Sequence, residues 1–273
     1  MKYSKKKLYS AQVPLTPSHE AYIVKYLKTV KKIRIYQVLI ITAFLILWEV
    51  STRIGLLNAF IFSSPYRVIR CFVEMASDGS VFFHIGVTLL ETFISFALVI
   101  IIGILAAILL WWNENLAKVL EPYLVVLNSL PKSALAPVFI VWLGNNMKTI
   151  IVAAVSVAVF GSIITLYTDF INVEEDKIKL IRTLGGNKRD VLFKVVLPSN
   201  IPSVISVMKV DIGLSLVGVI IGEFLAANAG LGYLIIYGSQ VFKLDWVIMS
   251  IVILCIMAAG LYQLLTYFEN KYN

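Results

Sequence analysis

Ile85 to Trp112 reads IGVTLLETFISFALVIIIGILAAILLWW, 28 residues with a single charge at Glu91. The hydrocarbon core of a bilayer is crossed by about 20 apolar residues of helix. A helix that is apolar on every face belongs in lipid or deep in protein. The stretch therefore reads as a membrane span, closed by Trp111-Trp112 at headgroup level. Similar blocks flank it: Ile35–Val50, Val119–Leu143, Thr149–Thr168, Ile201–Ala227 and Trp246–Phe268. The 273-residue chain is 59% hydrophobic and 15% charged, with a mean hydropathy of +0.87. A soluble domain is about 45–50% apolar and about 25% charged. That composition excludes a soluble enzyme, a disulfide-stapled secreted domain and a disordered chain. The glycines follow no fixed period, which excludes collagen-like and repeat arrays. The expectation is an all-α membrane protein, one bundle of six transmembrane helices.

The net charge of +8 is decided by where the charges lie. Residues 1–34 hold nine Lys and Arg against one acid, Glu20. No nucleic-acid motif accompanies them, so this reads as a basic cytosolic segment ahead of a transmembrane domain over 35–273. The first apolar run lacks a small-residue cleavage site and reads as a retained anchor. With six spans, 17 of the 24 basic residues fall on one face and 5 on the other. The richer face is the cytosolic one and carries both termini. Cys71 and Cys255 form no metal or disulfide pattern. His84 and His19 fall on opposite sides, which leaves no metal pair, and His84 is expected at the solvated interface.

Two segments between or within spans carry further information. Ser64-Pro65 reads as a helix start, and Val68, Ile69, Phe72, Val73 and Met75 give the outer helix it opens an apolar face, ended by Asp78-Gly79. Val119–Leu143 contains Pro122, Pro131 and Pro137. Each removes a backbone donor, so this span should be broken and packed inside protein.

Residues 172–198 form the most informative polar interval, with EEDKIKLIRTLGGNKRDVLFKVVLP running from Glu174 to Pro198. Ile178, Ile181 and Leu184 repeat at helical spacing. Gly185 stands where a helix end calls for a left-handed residue. Asn187 and Asp190 form a variant capping box, Val191, Leu192, Val195 and Val196 supply a second apolar face, and Pro198 stops it. Two short amphipathic helices joined by a glycine turn are expected. Either they anchor the bundle at the interface, or they dock a cytosolic partner.

The order of these residues resembles the permease subunit of a binding-protein-dependent ABC importer. That family carries a loop of the form EAA, three residues, Gly, nine residues, a hydrophobic residue, any residue, Leu-Pro. Gly185, Val195, Leu197 and Pro198 match it; Lys179-Leu180-Ile181 replaces the EAA triplet. Arg182-Thr183-Leu184-Gly185 is similar to the form found in the nitrate/sulfonate/taurine branch. Phe62–Pro65, His84–Glu91 (with Glu91 where Arg is usual), Leu130-Pro131-Lys132, Ala134–Gly144, Glu223 and Gly230-Leu231-Gly232 extend the match over about residues 60–270.

The resemblance implies a type I ABC importer-like permease fold. It implies a partner permease, either a second copy or a paralogue, two cytosolic ABC ATPases and an external solute-binding protein. The ATPases would dock on a loop carrying Lys179, Arg182, Gly185, Gly186, Asn187, Leu197 and Pro198. The solute would be a sulfonate-, nitrate- or taurine-like anion or a vitamin precursor, moved by alternating access. No G-x-x-x-x-G-K-[ST] phosphate loop is present. The chain is thus expected to be no enzyme and to carry no cofactor, with ATP and magnesium on the separate ATPase.

Lys132, at membrane depth, either attracts an anionic solute in the pathway or pairs with Glu121, Asp211 or Glu223, or snorkels. Glu223, Gly230 and Gly232 are candidates for a gate, with a hydrogen-bonded structural role for Glu223 as the other reading. Lys209 and Asp211 are expected to pair between helices. Gly213, Ser215, Gly218 and Gly222 mark close packing. A stand-alone secondary transporter or channel is the rival reading, although no second broken span matches the first. A non-transporting scaffold would leave the midplane polar residues without a purpose.

Overall fold

A computed structural model describes residues 17–272, and the first sixteen residues of the basic segment lie outside them. The chain divides into two units, Met1–Pro65 and Tyr66–Asn273. In the first, α1 (Pro17–Arg53) is one helix of 37 residues, much longer than the expected span at 35–50. The basic residues after 17 continue the helix because nothing between Pro17 and Ile35 breaks it: Lys and Arg are good helix formers. A short α2 (Ala59–Phe62) follows, capped by the Asn58 side chain, and Trp48 Nε1 donates to Phe62 O at 3.3 Å.

The next helix, α3 (Pro65–Ser77), lies in the second unit from Tyr66 onward; it starts and stops where the sequence indicated, with Gly79 at a φ of +79°. Its buried stripe is Val68, Cys71 and Met75, whereas Ile69 and Val73 are exposed. Burial pushes the Cys71 thiol up to about 11. Then come α4 (Ser80–Trp112), α5 (Glu114–Ser129), α6 (Lys132–Leu143), α7 (Met147–Ile171), α8 (Glu175–Thr183) and α9 (Lys188–Val191). A π-turn, π1 (Leu192–Val196), leads into α10 (Leu197–Ser199), α11 (Ile201–Ala226), α12 (Leu231–Gln240) and α13 (Leu244–Tyr272). No strand occurs among the described residues. Among the described residues, five helices are long and apolar enough to cross a membrane, or six if the bent α5–α6 pair counts as one.

The centre is a three-helix packing of α4, α7 and α11. Small residues bring the backbones together, as their spacing indicated. A Cβ on Gly218 would stand 2.6 Å from Ala154 Cα, and one on Gly222 would stand 2.9 Å from Ile150 Cα. Lipid offers helices no hydrophobic drive to associate, so such close van der Waals approach carries the packing.

The third span is broken, as the prolines required, but at one place. α5 and α6 meet at 95° across Leu130-Pro131, while Pro122 and Pro137 sit inside helices. The expectation that it packs inside protein fails within this chain: only Ala117 and Ala136 of the pair are buried, and Val141 and Trp142 are 83% and 74% exposed. The carbonyls freed at the break are satisfied locally instead, by a lysine side chain.

Candidate functional site

The helical loop folds much as its sequence indicated. α8 ends at a turn in which Gly185 has a φ of +82°. Gly186 N–H donates to Ile181 O at 2.9 Å, and a Cβ on Gly186 would meet that same oxygen at 2.9 Å. Both glycines are therefore required, the first by conformation and the second by space. Asn187 opens α9 with a complete capping box: its Oδ1 accepts from Asp190 N–H and its own N–H donates to Asp190 Oδ2, each at 3.0 Å. Lys194 at 2.7 Å, together with the Asn187 N–H, holds the Asp190 carboxyl below the usual carboxylate range.

The loop is seated rather than free. Val191, Leu192 and Val196 join Ala107, Leu166, Phe170 and Val207 in one buried cluster, with Ile178, Ile181 and Leu197 packed against it. Leu184, expected on this face, is instead 75% exposed, because the helix ends there and the chain turns away. The second helix ends beside Pro198, as expected. The continuous run of α9, π1 and α10 carries it as far as Ser199, one residue past Pro198, with π1 shifting the hydrogen-bond register just upstream. Lys179 pairs with Glu175 at 3.0 Å on its own helix, which holds the Glu175 carboxyl below its ordinary range. Lys188 Nζ donates to Trp112 O at 2.7 Å and fastens the loop to the end of α4.

A second constellation lies at the other end of α4. Helix α12 opens with three amides that have no partner within the helix. Gly230 N–H donates to His84 Nδ1 at 3.0 Å, Leu231 N–H to Thr88 Oγ1 at 2.8 Å, and Gly232 N–H to Glu223 Oε2 at 2.5 Å. Thr88 Oγ1 in turn donates to Glu223 Oε1 at 2.7 Å. Glu223 is 1% exposed, and the positive end of α12 compensates its carboxyl. Side chains at Gly230 and Gly232 would collide with that carboxyl. The carboxyl of Glu91 abuts it as well, and Glu91 Oε2 receives no hydrogen bond among the described residues. His84 is thus half-buried rather than solvated: its Nδ1 is an acceptor and its ring stacks on Tyr233 at 6.1 Å.

The structure joins Glu223, Gly230 and Gly232, and adds His84, Thr88 and Glu91. Their spacing of four and then three residues already placed them on one helical face. Lys132 stands apart from all of them and pairs with none of Glu121, Asp211 or Glu223. Its Nζ donates to Asn128 O at 3.1 Å and also to Leu127 O, and lies 5.3 Å from the Phe160 ring centre. Lys209 pairs between helices as expected, with Glu269 at 2.8 Å. Asp211 does not: it is buried, beside Ser162, with no ion pair among the described residues.

Residues 99–272 match the family described as "Binding-protein-dependent transport system inner membrane component". The chain is 31% identical to the formylaminopyrimidine transport permease protein ThiX of Halalkalibacterium halodurans, over 73% of this chain and 81% of that one. It is 23% identical to SsuC of Bacillus subtilis, named as a candidate aliphatic sulfonates transport permease, over 77% and 76%. Among solved structures, an inward-facing MetNI methionine ABC transporter superposes with a TM-score of 0.62 at 19% identity, covering 68% of this chain and 93% of that one. An amino acid ABC transporter gives 0.56 at 19% identity, covering 73% and 98%. These likenesses establish the type I ABC importer permease fold, and the relatives are transport permeases rather than enzymes. The chain belongs to the multi-pass inner membrane component family of binding-protein-dependent ABC importers.

Proposed function

We propose that this permease forms the translocation pathway of an ATP-driven importer and takes its drive through α8 and α9. One observation carries the reading: a short two-helix unit with an exposed, charged tip sits on the bundle through a continuous buried cluster. Such a unit transmits a push as a rigid body, since a close-packed interface does not deform continuously. Two cytosolic ATPases, which hold ATP and magnesium, would press on the two copies of this loop. Lys179, Arg182, Gly185, Gly186, Asn187, Leu197 and Pro198 form or shape the contact. A second permease, this chain or a paralogue, covers the exposed apolar α5–α6 pair, and an external binding protein delivers the solute. Both termini face the cytosol, in keeping with the distribution of Lys and Arg.

The solute is a small sulfonate-, nitrate- or taurine-like anion or a vitamin precursor; relatives named for an aliphatic sulfonate and for formylaminopyrimidine support the sulfonate and precursor classes. Lys132, at the break between α5 and α6, supplies the cationic end of the pathway. Glu223, Gly230 and Gly232 hold its outer gate. Co-purification with candidate ATPase and binding-protein subunits, followed by solute-stimulated ATP hydrolysis in proteoliposomes, tests the assignment. Failure of the ATPase to co-purify, or hydrolysis that ignores every solute and binding protein offered, counts against it.

A further inference from the structure

A cavity of about 360 Å³ lies between the helical loop and the ends of α4, α5 and α7. Three elements each send one cation to it: Lys118 from α5, Arg182 from α8 and Lys188 from α9, against one acid, Glu114. Trp111 and Tyr167 form aromatic walls.

The pairing of the loop's charges is uneven. Lys177, Lys179 and Lys194 have acids at 3.1, 3.0 and 2.7 Å. Lys118 and Arg182, which line the cavity, form no ion pair among the described residues. Lys188 meets a carbonyl and the rings of Trp111 and Trp112, at 5.5 and 5.9 Å, rather than an acid. The formal charge of the lining is +2, from three cations and one acid. All three cations are exposed, yet three like charges around one cavity repel one another, and an anion seated among them relieves that repulsion.

We propose that this cavity binds a phosphate-bearing anion, supplied in the membrane by the headgroup of an anionic phospholipid. Arginine presents a planar fork suited to phosphate oxygens, and lysine adds a point charge. The tryptophan pair sets the cavity at headgroup depth, where basic pockets between helices take anionic lipids. The bound phosphate bridges Arg182 and Lys188 of the loop to Lys118 of α5. It therefore ties the loop to the bend that leads into the broken span. The assignment to the inner leaflet rests on the orientation proposed above; binding itself does not.

Native mass spectrometry of the purified full-length protein in detergent tests this. Phosphatidylglycerol, phosphatidylcholine and inorganic phosphate are each offered to the wild type, to Lys118→Glu, and to Lys148→Glu as a control of equal charge change on another exposed helix start. Phosphatidylglycerol should be retained over phosphatidylcholine. Lys118→Glu should weaken that retention on the order of tenfold, and Lys148→Glu should leave it alone. Resistance to excess inorganic phosphate supports the lipid source. Capture of inorganic phosphate without phosphatidylglycerol overturns that source and leaves a free phosphate compound. Equal retention of both lipids, or equal loss in both variants, overturns the site. An uptake defect alone bears on the importer reading and leaves these outcomes unchanged.

Discussion

Thr88 does two jobs with one oxygen. It donates to Glu223 and accepts from the Leu231 amide, in a site from which water is excluded. Thr88→Val keeps the shape and leaves both partners short, so it should cost about 1–3 kcal/mol per unsatisfied group, read as a lower thermal unfolding midpoint of the purified protein. Thr88→Ser should recover most of the loss. Glu91 and Glu223 respond oppositely. Glu91→Gln keeps the shape of the side chain that abuts Glu223 and gives it an amide donor, so the midpoint should hold or rise. Glu223→Leu strands the Gly232 amide and the Thr88 hydroxyl, so the midpoint should fall. If Glu91→Gln proves the more damaging of the two, the account of this junction is wrong. At Lys132, the contacts to Leu127 and Asn128 carbonyls give a structural task that a pathway role must coexist with. Lys132→Met should lower uptake through the pathway role while leaving assembly and basal ATPase activity in place. Loss of assembly would instead assign Lys132 to the helix break alone.

The loop behaves as one element because its two glycines set the angle between its helices. A β-branched residue at Gly185 would have to adopt a φ of +82°, at a cost of about 1–2 kcal/mol. Gly185→Val should therefore misplace α9 while leaving the membrane bundle intact, because little of the core lies beyond the turn. The measurable outcome is normal membrane insertion with loss of ATPase co-purification and of uptake. Normal transport by Gly185→Val would make this loop an interfacial anchor only. The junction at α12 obeys a different logic. There a helix start is held by side chains from two other helices, so α12 moves only if all three hydrogen bonds break together.

For the whole molecule, the close crossing of α7 and α11 decides stability. Gly218 lies so near the Ala154 backbone that Gly218→Leu must force the helices apart. The expected result is loss of folded protein from the membrane fraction, not a milder transport defect. Topology is checked with single cysteines at Asp78 and Arg189 in intact cells. The first should react with an impermeant reagent and the second should not. Labelling at position 189 from outside would reverse the orientation.

Much of this was legible in the chain itself. Long apolar blocks can only be membrane helices, because every backbone polar group must be satisfied within its own segment there. Gly185, Asn187 and Asp190 announced their turn and cap because those depend on neighbours a few residues away. The extent of α1 was hidden because helix propensity passes smoothly from its basic part to its apolar part. The partners of His84, Thr88, Glu91 and Glu223 were equally hidden. Their types and their shared helical face were visible, but which helix would meet that face was not. Likewise the outcome at Lys132, a cap on its own broken helix rather than a salt bridge, followed from the 95° bend at Leu130-Pro131. Local hydrogen bonding and hydrophobicity are written along the sequence. The meeting of residues 135 positions apart, as in the bond from Thr88 to Glu223, exists only once close helix packing has brought α4 against α11.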